Sequence, residues 1–344
     1  MANGRQQFPL TARQEAVLRK VVEEYLDGGS PVGSKALAEG FEWGPSTIRH
    51  ELANLEEHGL LAHPHTSAGR VPTEAGYRYF VDRLLPSQVD VPPLTLALMP
   101  SELDEAMRVT TETLSQVTNL LAVVTAPPIS TATVRHVEVL RLQPQVLMVV
   151  VITSTGGVTK RMFTFGSAVD PGLADWVGSY LNERLVGVAL GARRVTQRLL
   201  DPSLSRAEAE FVTALAPAFT DLSEHGEDSL YIDGTARLLA LDRSGEISEL
   251  NSLMDMLERR VAMLQLLRAA FSGQGVNVRI GAENQLPELR SLAVVVAGYG
   301  LPQRSLGTVS VIGPLRMDYP RVISVVRDAA VQLSRFVTEV YDER

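Results

Sequence analysis

One short segment of the sequence carries side chains that are suited to binding nucleic acid. Ser46, Thr47, Arg49, His50 and Asn54 are spaced so that a helix would place them on or beside one face. An arginine guanidinium can hold a guanine or a phosphate with two N–H groups. Hydroxyl, imidazole and amide groups can exchange hydrogen bonds with base edges. These residue types predict contact with a DNA duplex.

The same segment contains the signals of a helix that would present this face. Pro45 suits the first helical position, because its missing N–H would have no partner there in any case. Ile48, Leu52 and Leu55 form an apolar stripe on the opposite side, and Gly59 ends the segment. The first turns of such a helix fit the major groove, and their free N–H groups favour a phosphate.

Two further helices are predicted before this segment. Thr11-Ala12-Arg13-Gln14 indicates a capping box, and the helix that it opens should end at Gly28-Gly29. A second, shorter helix is expected from about Ser34 to Gly40. The segment from Pro45 then forms the third helix of this set.

A hairpin is predicted directly after the third helix. The segment from Leu60 to Pro72 is short and rich in turn-forming residues, and Thr73 should cap a fourth helix. We expect Arg70 at the hairpin tip with His63 and His65 beside it, where an arginine suits a minor groove or a backbone phosphate. Three helices followed by a hairpin predict a winged helix-turn-helix over residues 1–85.

The remainder of the chain predicts an α+β arrangement. Prolines mark a linker over residues 86–100, and a long helix with an apolar seam follows over 101–121. Period-two strands and further helices come next, with an antiparallel sheet expected in two parts around a helical segment. The predicted divisions are 101–170, 171–227 and 228–344. The expected strands are 134–142, 146–153, 158–165, 229–233, 236–241, 276–280, 292–299 and 307–312; further helices are expected at 247–271 and 319–341.

Composition restricts the function classes. The chain has 344 residues, no cysteine and a net charge of −8. Its first 85 residues hold two lysines and seven arginines against eleven acidic residues, a net charge of −2, so a few placed groups must make any DNA contact. We find no membrane span, no signal peptide, no phosphate loop and no catalytic motif. We therefore expect a cytoplasmic protein that is not an enzyme and uses neither cofactor nor metal.

Several motifs resemble the HrcA family, the heat-inducible transcription repressors of bacteria. The resemblance touches both ends of the chain. The matching stretches are Leu10–Gln14, Pro31–Lys35, Ser46–Leu61, Pro64–Thr73, Gly76–Arg78, Arg279–Asn284 and Gly313–Tyr319. Gly44, Ser46 and His50 depart from the residues common in the family. Operator preference is therefore not transferred unchanged.

The resemblance implies a GAF-like sheet domain interrupted by an inserted dimerisation segment, 171–227. It also implies repression of chaperonin and chaperone operons through an inverted-repeat operator bound by a homodimer, with a GroEL-type chaperonin as a further partner. The DNA-binding set would then include Lys35, His63, His65, Thr66, Ser67 and Arg70, together with the residues of the third helix. Two related copies recognise an inverted repeat because their binding energies combine.

Three alternatives stay open from the residues themselves. The first is a winged-helix regulator of metabolic genes that senses a small ligand through its GAF-like domain. The second is a winged helix that docks proteins, which the acidic balance favours. The third concerns the helices 103–121 and 247–271, which could contribute dimer contacts or pack inside one chain; we favour the latter.

Overall fold

A computed structural model of the chain describes most of its residues and shows a mixed α+β fold. The described residues are 10–64, 69–85, 92–98, 103–127, 132–154, 157–190, 192–199, 201–220, 230–241, 254–255, 257, 275–302 and 304–342. They form an N-terminal helical part, a five-stranded sheet with its helices, and a three-stranded sheet with its own helices.

The N-terminal part follows the predicted order of helices and hairpin. Its elements are α1 (Ala12–Gly28), α2 (Ser34–Ala38), α3 (Pro45–Glu57), β1 (Leu61–Ala62), β2 (Val71–Pro72) and α4 (Glu74–Tyr79), which continues as a π-helical turn over Phe80–Leu84. The capping box is confirmed, since the Thr11 and Gln14 side chains each accept the other's backbone N–H. Gly29, in the left-handed region at φ 66°, ends α1.

The predicted apolar stripe of α3 builds the centre of the N-terminal core. Ile48, Leu52 and Leu55 are buried against α1 and α2. β1 pairs antiparallel with β2, which confirms the hairpin, and Thr73 caps α4 by accepting the N–H of Gly76. The hairpin loop 65–68 lies outside the described residues. Local signals therefore predicted this part well, because its contacts join neighbouring segments.

The five-stranded antiparallel sheet is assembled from distant parts of the chain. Its strands in spatial order are β7 (Leu230–Asp233), β3 (Leu121–Thr125), β10 (Arg304–Pro314), β9 (Leu292–Leu301) and β8 (Val276–Ile280). The associated helices are α5 (Leu103–Thr118), α10 (Thr235–Leu241) and α11 (Tyr319–Asp342). One sheet face packs on α5 and α11, and this core is continuous with the N-terminal core.

Two element assignments in this region were wrong. Leu121 belongs to β3 and not to the preceding helix, which ends at Thr118. All five residues of β3 are buried, and such a continuous apolar run cannot be separated from a helix by periodicity alone. The expected strand 236–241 is helical, because Gly234 at φ 91° turns the chain directly after β7.

The other three central strands form a sheet of their own, whereas a single sheet was expected. This sheet has the order β4 (Val134–Gln143), β5 (Val146–Thr153) and β6 (Val158–Thr164). It packs on α6 (Pro171–Leu185), α7 (Ala192–Leu199), α8 (Arg206–Leu215) and α9 (Pro217–Thr220). The helical segment expected over 171–227 is therefore divided into four separate helices among its described residues. We call this part, residues 132–220, the inserted unit.

The described part of the predicted linker, residues 92–98, packs against the last helix. In the segment 92–98, the Leu94 and Leu96 side chains are buried, and their backbone N–H groups donate to Asp328 and Gln332 of α11 at 3.3 and 2.9 Å. The apolar seam of α5 packs inside the chain, as favoured above, on β3 and α11. Most of the predicted helix 247–271 lies outside the described residues.

Candidate nucleic-acid interface

The exposed face of α3 presents four of the predicted DNA-contacting side chains together. Ser46, Arg49 and His50 are exposed and Thr47 is half-buried, all within the first two turns. Arg49 forms no ion pair with another described residue. We call these four residues the recognition face. It can offer base edges or phosphates a guanidinium, an imidazole and two hydroxyl groups.

The start of α3 adds backbone donors to this face. Gly44 occupies the N-cap position in an extended conformation and has no side chain to accept the first N–H groups, while Pro45 follows at the first helical position. The donors of Ser46 and Thr47 therefore point out of the helix end without a capping side chain. Such a helix end favours an anionic group through its N–H groups and its dipole.

The structure corrects the predicted position of Arg70. Its backbone pairs with Val32 through two hydrogen bonds of 2.9 Å, so it lies where the hairpin meets the start of α2 and not at the tip. Its side chain is only 16% exposed and ion-pairs with Glu56 of α3 at 2.7 Å. It also donates to His63 at 2.8 Å. Arg70 therefore fastens the hairpin to α3.

The remaining predicted residues are spread around the recognition face. Lys35 is exposed on α2, and Asn54 is half-buried, with its amide 3.4 Å from a Glu51 oxygen. His63 is exposed beside Arg70. His65, Thr66 and Ser67 lie outside the described residues. The structure thus brings the α3 residues together but does not place the hairpin tip.

Arg13 is a neighbour of α3 to which sequence reasoning gave no role. Its guanidinium lies 3.5 Å from the nearly buried Glu51 carboxylate and 5.2 Å from the Trp43 ring centroid. It remains about half exposed, and its charge is balanced by that of Glu51. Its presence in the Leu10–Gln14 motif was the only signal available.

Ion pairs neutralise part of the acidic charge near the recognition face. Glu51 is paired with Arg13 and Glu56 with Arg70, so each pair carries no net charge. Glu57 and Glu42 remain exposed. The local field is therefore set by individual placed groups, as the net charge of this part requires. The described residues contain no group of three or more acidic or histidine side chains that could bind a metal ion.

Comparison with known proteins assigns a family to this arrangement. Residues 104–323 match the family model described as the HrcA protein C-terminal domain. The chain is 38% identical over 346 residues to a heat-inducible transcription repressor HrcA of Nocardia farcinica, covering 96% of this chain and 97% of that protein. It is 32% identical to the HrcA repressor of Bacillus pumilus, covering 97% and 100% respectively.

A solved structure supports the fold. A crystal structure described only as a hypothetical protein aligns with 96% of this chain and 100% of its own, with a TM-score of 0.68 and 22% sequence identity. This likeness concerns the fold alone. Separately, none of the helices in the described ranges combines the length and apolarity needed to cross a bilayer.

Proposed function

The chain belongs to the HrcA family of heat-inducible transcription repressors, and from this premise we propose that it represses heat-shock operons by inserting α3 into the DNA major groove. The family comprises repressors and not enzymes. We assign the N-terminal part to the winged-helix class. Its hairpin would be the wing, with Lys35, Asn54, His63, His65, Thr66 and Ser67 contributing flanking contacts.

The observation that carries this proposal is the free recognition face of α3. Its apolar side is buried against α1 and α2, so the helix is held rigidly, while Ser46, Arg49 and His50 stay exposed. A helix of about 10–12 Å diameter fits the major groove with its first turns against the base edges. Arg70 would act mainly by positioning the wing, since its side chain is already engaged.

A binding experiment tests the proposal. We expect the protein to retard a twofold-symmetric operator, selected from a random duplex pool, far more than a scrambled duplex at matched salt. Arg49→Ala should weaken operator binding. Arg290→Ala removes an exposed arginine from the five-stranded sheet and its helices, which we call the sheet domain, and should leave binding unchanged. Equal affinity of the wild-type protein for both duplexes would contradict the proposal.

We propose that the protein acts as a homodimer through the uncovered face of the three-stranded sheet. One face of this sheet packs on α6–α9, whereas the other exposes four large apolar side chains. They are Leu140, Leu142, Val158 and Met162, at 39, 50, 62 and 67% exposure. Exposed apolar groups gathered on one face are typical of an interaction surface. We call this surface the open sheet face.

Charge placement favours a second copy as the occupant of the open sheet face. In the sheet register, Val150 stands between Glu138 on one side and Lys160 on the other. A twofold axis through the middle of this row would set Glu138 of one copy against Lys160 of the next. Such self-complementarity is what an isologous interface requires.

We further propose three units for the chain. They are the winged helix within residues 1–85, a GAF-like domain from 103–127 and 230–342, and the inserted unit 132–220 as the dimerisation module. Separate hydrophobic clusters support the division of the last two. This places the insertion's start before the predicted residue 171, because β4–β6 share a core with the helices that follow them.

We also propose a GroEL-type chaperonin as a folding partner. β3 pairs with β7 and β10, so the central sheet closes only after the whole inserted unit has been made. Such distant pairings slow folding and leave aggregation-prone intermediates. Refolding yield, measured by operator binding, should rise when chaperonin and ATP are added. Full recovery without chaperonin would contradict this partner.

A further inference from the structure

The N-terminal part is fastened to the sheet domain by motifs that the DNA-binding proposal does not use. Arg78 of α4 donates its Nε to a Glu283 oxygen at 2.9 Å and a second N–H group to the Val278 carbonyl at 2.6 Å. Glu74 accepts the backbone N–H of Ala282 at 2.9 Å. These bonds join α4 to the turn that follows β8.

A second set of contacts lies at the end of α1. Arg316 donates to the Leu26 carbonyl at 3.1 Å, and its guanidinium lies 5.7 Å from the centroid of the Tyr25 ring. Nearby, the rings of Tyr77 and Tyr319 pack with centroids 5.6 Å apart. We call the two sets together the docking contact. It is built from the Gly76–Arg78, Arg279–Asn284 and Gly313–Tyr319 motifs.

The docking contact is preorganised on both sides. Asn284 is buried and its amide donates to the carbonyls of Gly281, Leu289 and Leu292, which fixes the turn that receives α4. Gly281 has φ 54°, and a Cβ there would overlap the Glu74 carboxylate. Gly29 likewise lies so close to the Arg316 guanidinium that a Cβ would overlap it.

The ion pair with Glu283 offsets the cost of burying the Arg78 guanidinium. Burial acts to lower the pKa of Arg78, but hydrogen bonding with Glu283 and the Glu283 charge outweigh it and raise that pKa. Burial also raises the pKa of Tyr319 well above its ordinary value, so its ring remains neutral. The 92–98 segment, bound along α11, supplies a further attachment between the two parts.

We propose that the docking contact is a specificity determinant for DNA: it fixes the angle of α3 on the sheet domain and so sets which spacing between two operator half-sites a dimer accepts. The inference rests on the proposed function. The docking contact involves α4 and the end of α1, whereas the recognition face of α3 stays exposed. Loosening the contact should therefore change spacing preference without changing half-site recognition.

The test uses the full-length protein and a symmetric duplex selected with it from a random pool. In a second duplex, five base pairs are added between the half-sites, which places the two half-sites on opposite faces of the DNA double helix. The test variants are Glu283→Gln and Gly29→Ala. Their matched controls are Arg108→Gln, which breaks ion pairs on α5, and Gly187→Ala, which has a similarly positive φ of 80° but meets no atom within 4 Å.

We expect the affinity loss caused by the added base pairs to shrink by about tenfold in both test variants, because an undocked unit can reach the displaced half-site. Both controls should keep the wild-type loss, and affinity for a duplex with one half-site should be equal in all five proteins. The inference is overturned if the test variants keep the full loss, if they bind the original spacing more tightly than wild type, or if their half-site affinity falls. A wild-type protein that selects no sequence would refute the proposed function first, and the inference with it.

Discussion

The N-terminal part and the inserted unit expose opposite kinds of surface. The N-terminal part shares its hydrophobic core with the sheet domain and turns a polar helix face outward. The inserted unit keeps a separate core and turns an apolar sheet face outward. Polar groups on a rigid helix suit hydrogen bonding to DNA, whereas an apolar face gains free energy only when another surface covers it.

Under the proposed function, DNA recognition and dimerisation would belong to different regions of the chain. Recognition requires a face that remains hydrated until DNA arrives, and dimerisation requires one that is hidden as soon as the protein assembles. The two regions also differ in whether their hydrophobic cores are joined to that of the sheet domain. A disturbance in the N-terminal core should spread into the sheet domain, while one in the inserted unit should stay local.

The largest effects should come from matched core substitutions. Leu18→Ala and Leu147→Ala each remove a fully buried side chain, and each should cost about 2–5 kcal/mol of unfolding free energy. Hydrogen exchange should show lost protection over residues 132–220 alone for Leu147→Ala, but over both α1–α4 and the sheet for Leu18→Ala. Identical exchange patterns in the two variants would remove the distinction between the regions.

The second largest effect should come from a charge introduced on the open sheet face. Met162→Glu places a carboxylate where the second copy would pack, and we expect dimer affinity to fall by at least about 100-fold, since an unpaired charge is costly to bury. Sedimentation velocity measures the change. Val331→Glu, at another exposed apolar position on α11, is the control and should remain dimeric. A Met162→Glu protein that dimerises like wild type would exclude this face.

Substitutions of Arg49 and Arg70 should differ in whether they weaken DNA binding alone or lower stability as well. Arg49→Ala should weaken operator binding by about 10- to 100-fold, or about 1–3 kcal/mol, without changing the melting temperature. Arg70→Ala should lower both quantities, because it leaves Glu56 without its partner and frees the hairpin. Gel shifts and thermal melts separate the two cases. Loss of stability in Arg49→Ala would show a structural role instead.

The smallest effect concerns the helix caps of the two regions. Hydrogen bonds from Ser205 lower the pKa of Glu208 below its ordinary value of 4.5, whereas the equivalent residue in the α1 capping box is the uncharged Gln14. The contribution of the Glu208 carboxylate to the stability of α8 is therefore complete above pH 4.5 and is lost as the pH falls through the lowered pKa. Glu208→Gln should slightly increase hydrogen exchange in α8 at pH 7, and the difference should vanish in acid. A pH-independent difference would contradict this cause.

The sequence predicted the N-terminal part more closely than the rest for a physical reason. The Thr11 cap, the Pro45 start and the Ile48 stripe are local signals, and local contacts determine that part. Strand β3 and the division into two sheets depend on which distant strands pair, which neither periodicity nor propensity encodes. Arg70 was misplaced for the same reason, since its partners Val32 and Glu56 come from other elements.

Hydrogen exchange of the protein bound to its operator tests the central claim most directly. We predict that operator DNA, but not a scrambled duplex, slows exchange over residues 46–50 of α3, while exchange over β4–β6 is the same with both duplexes. Unchanged exchange at 46–50 in the specific complex, with protection elsewhere, would show that another surface binds the DNA.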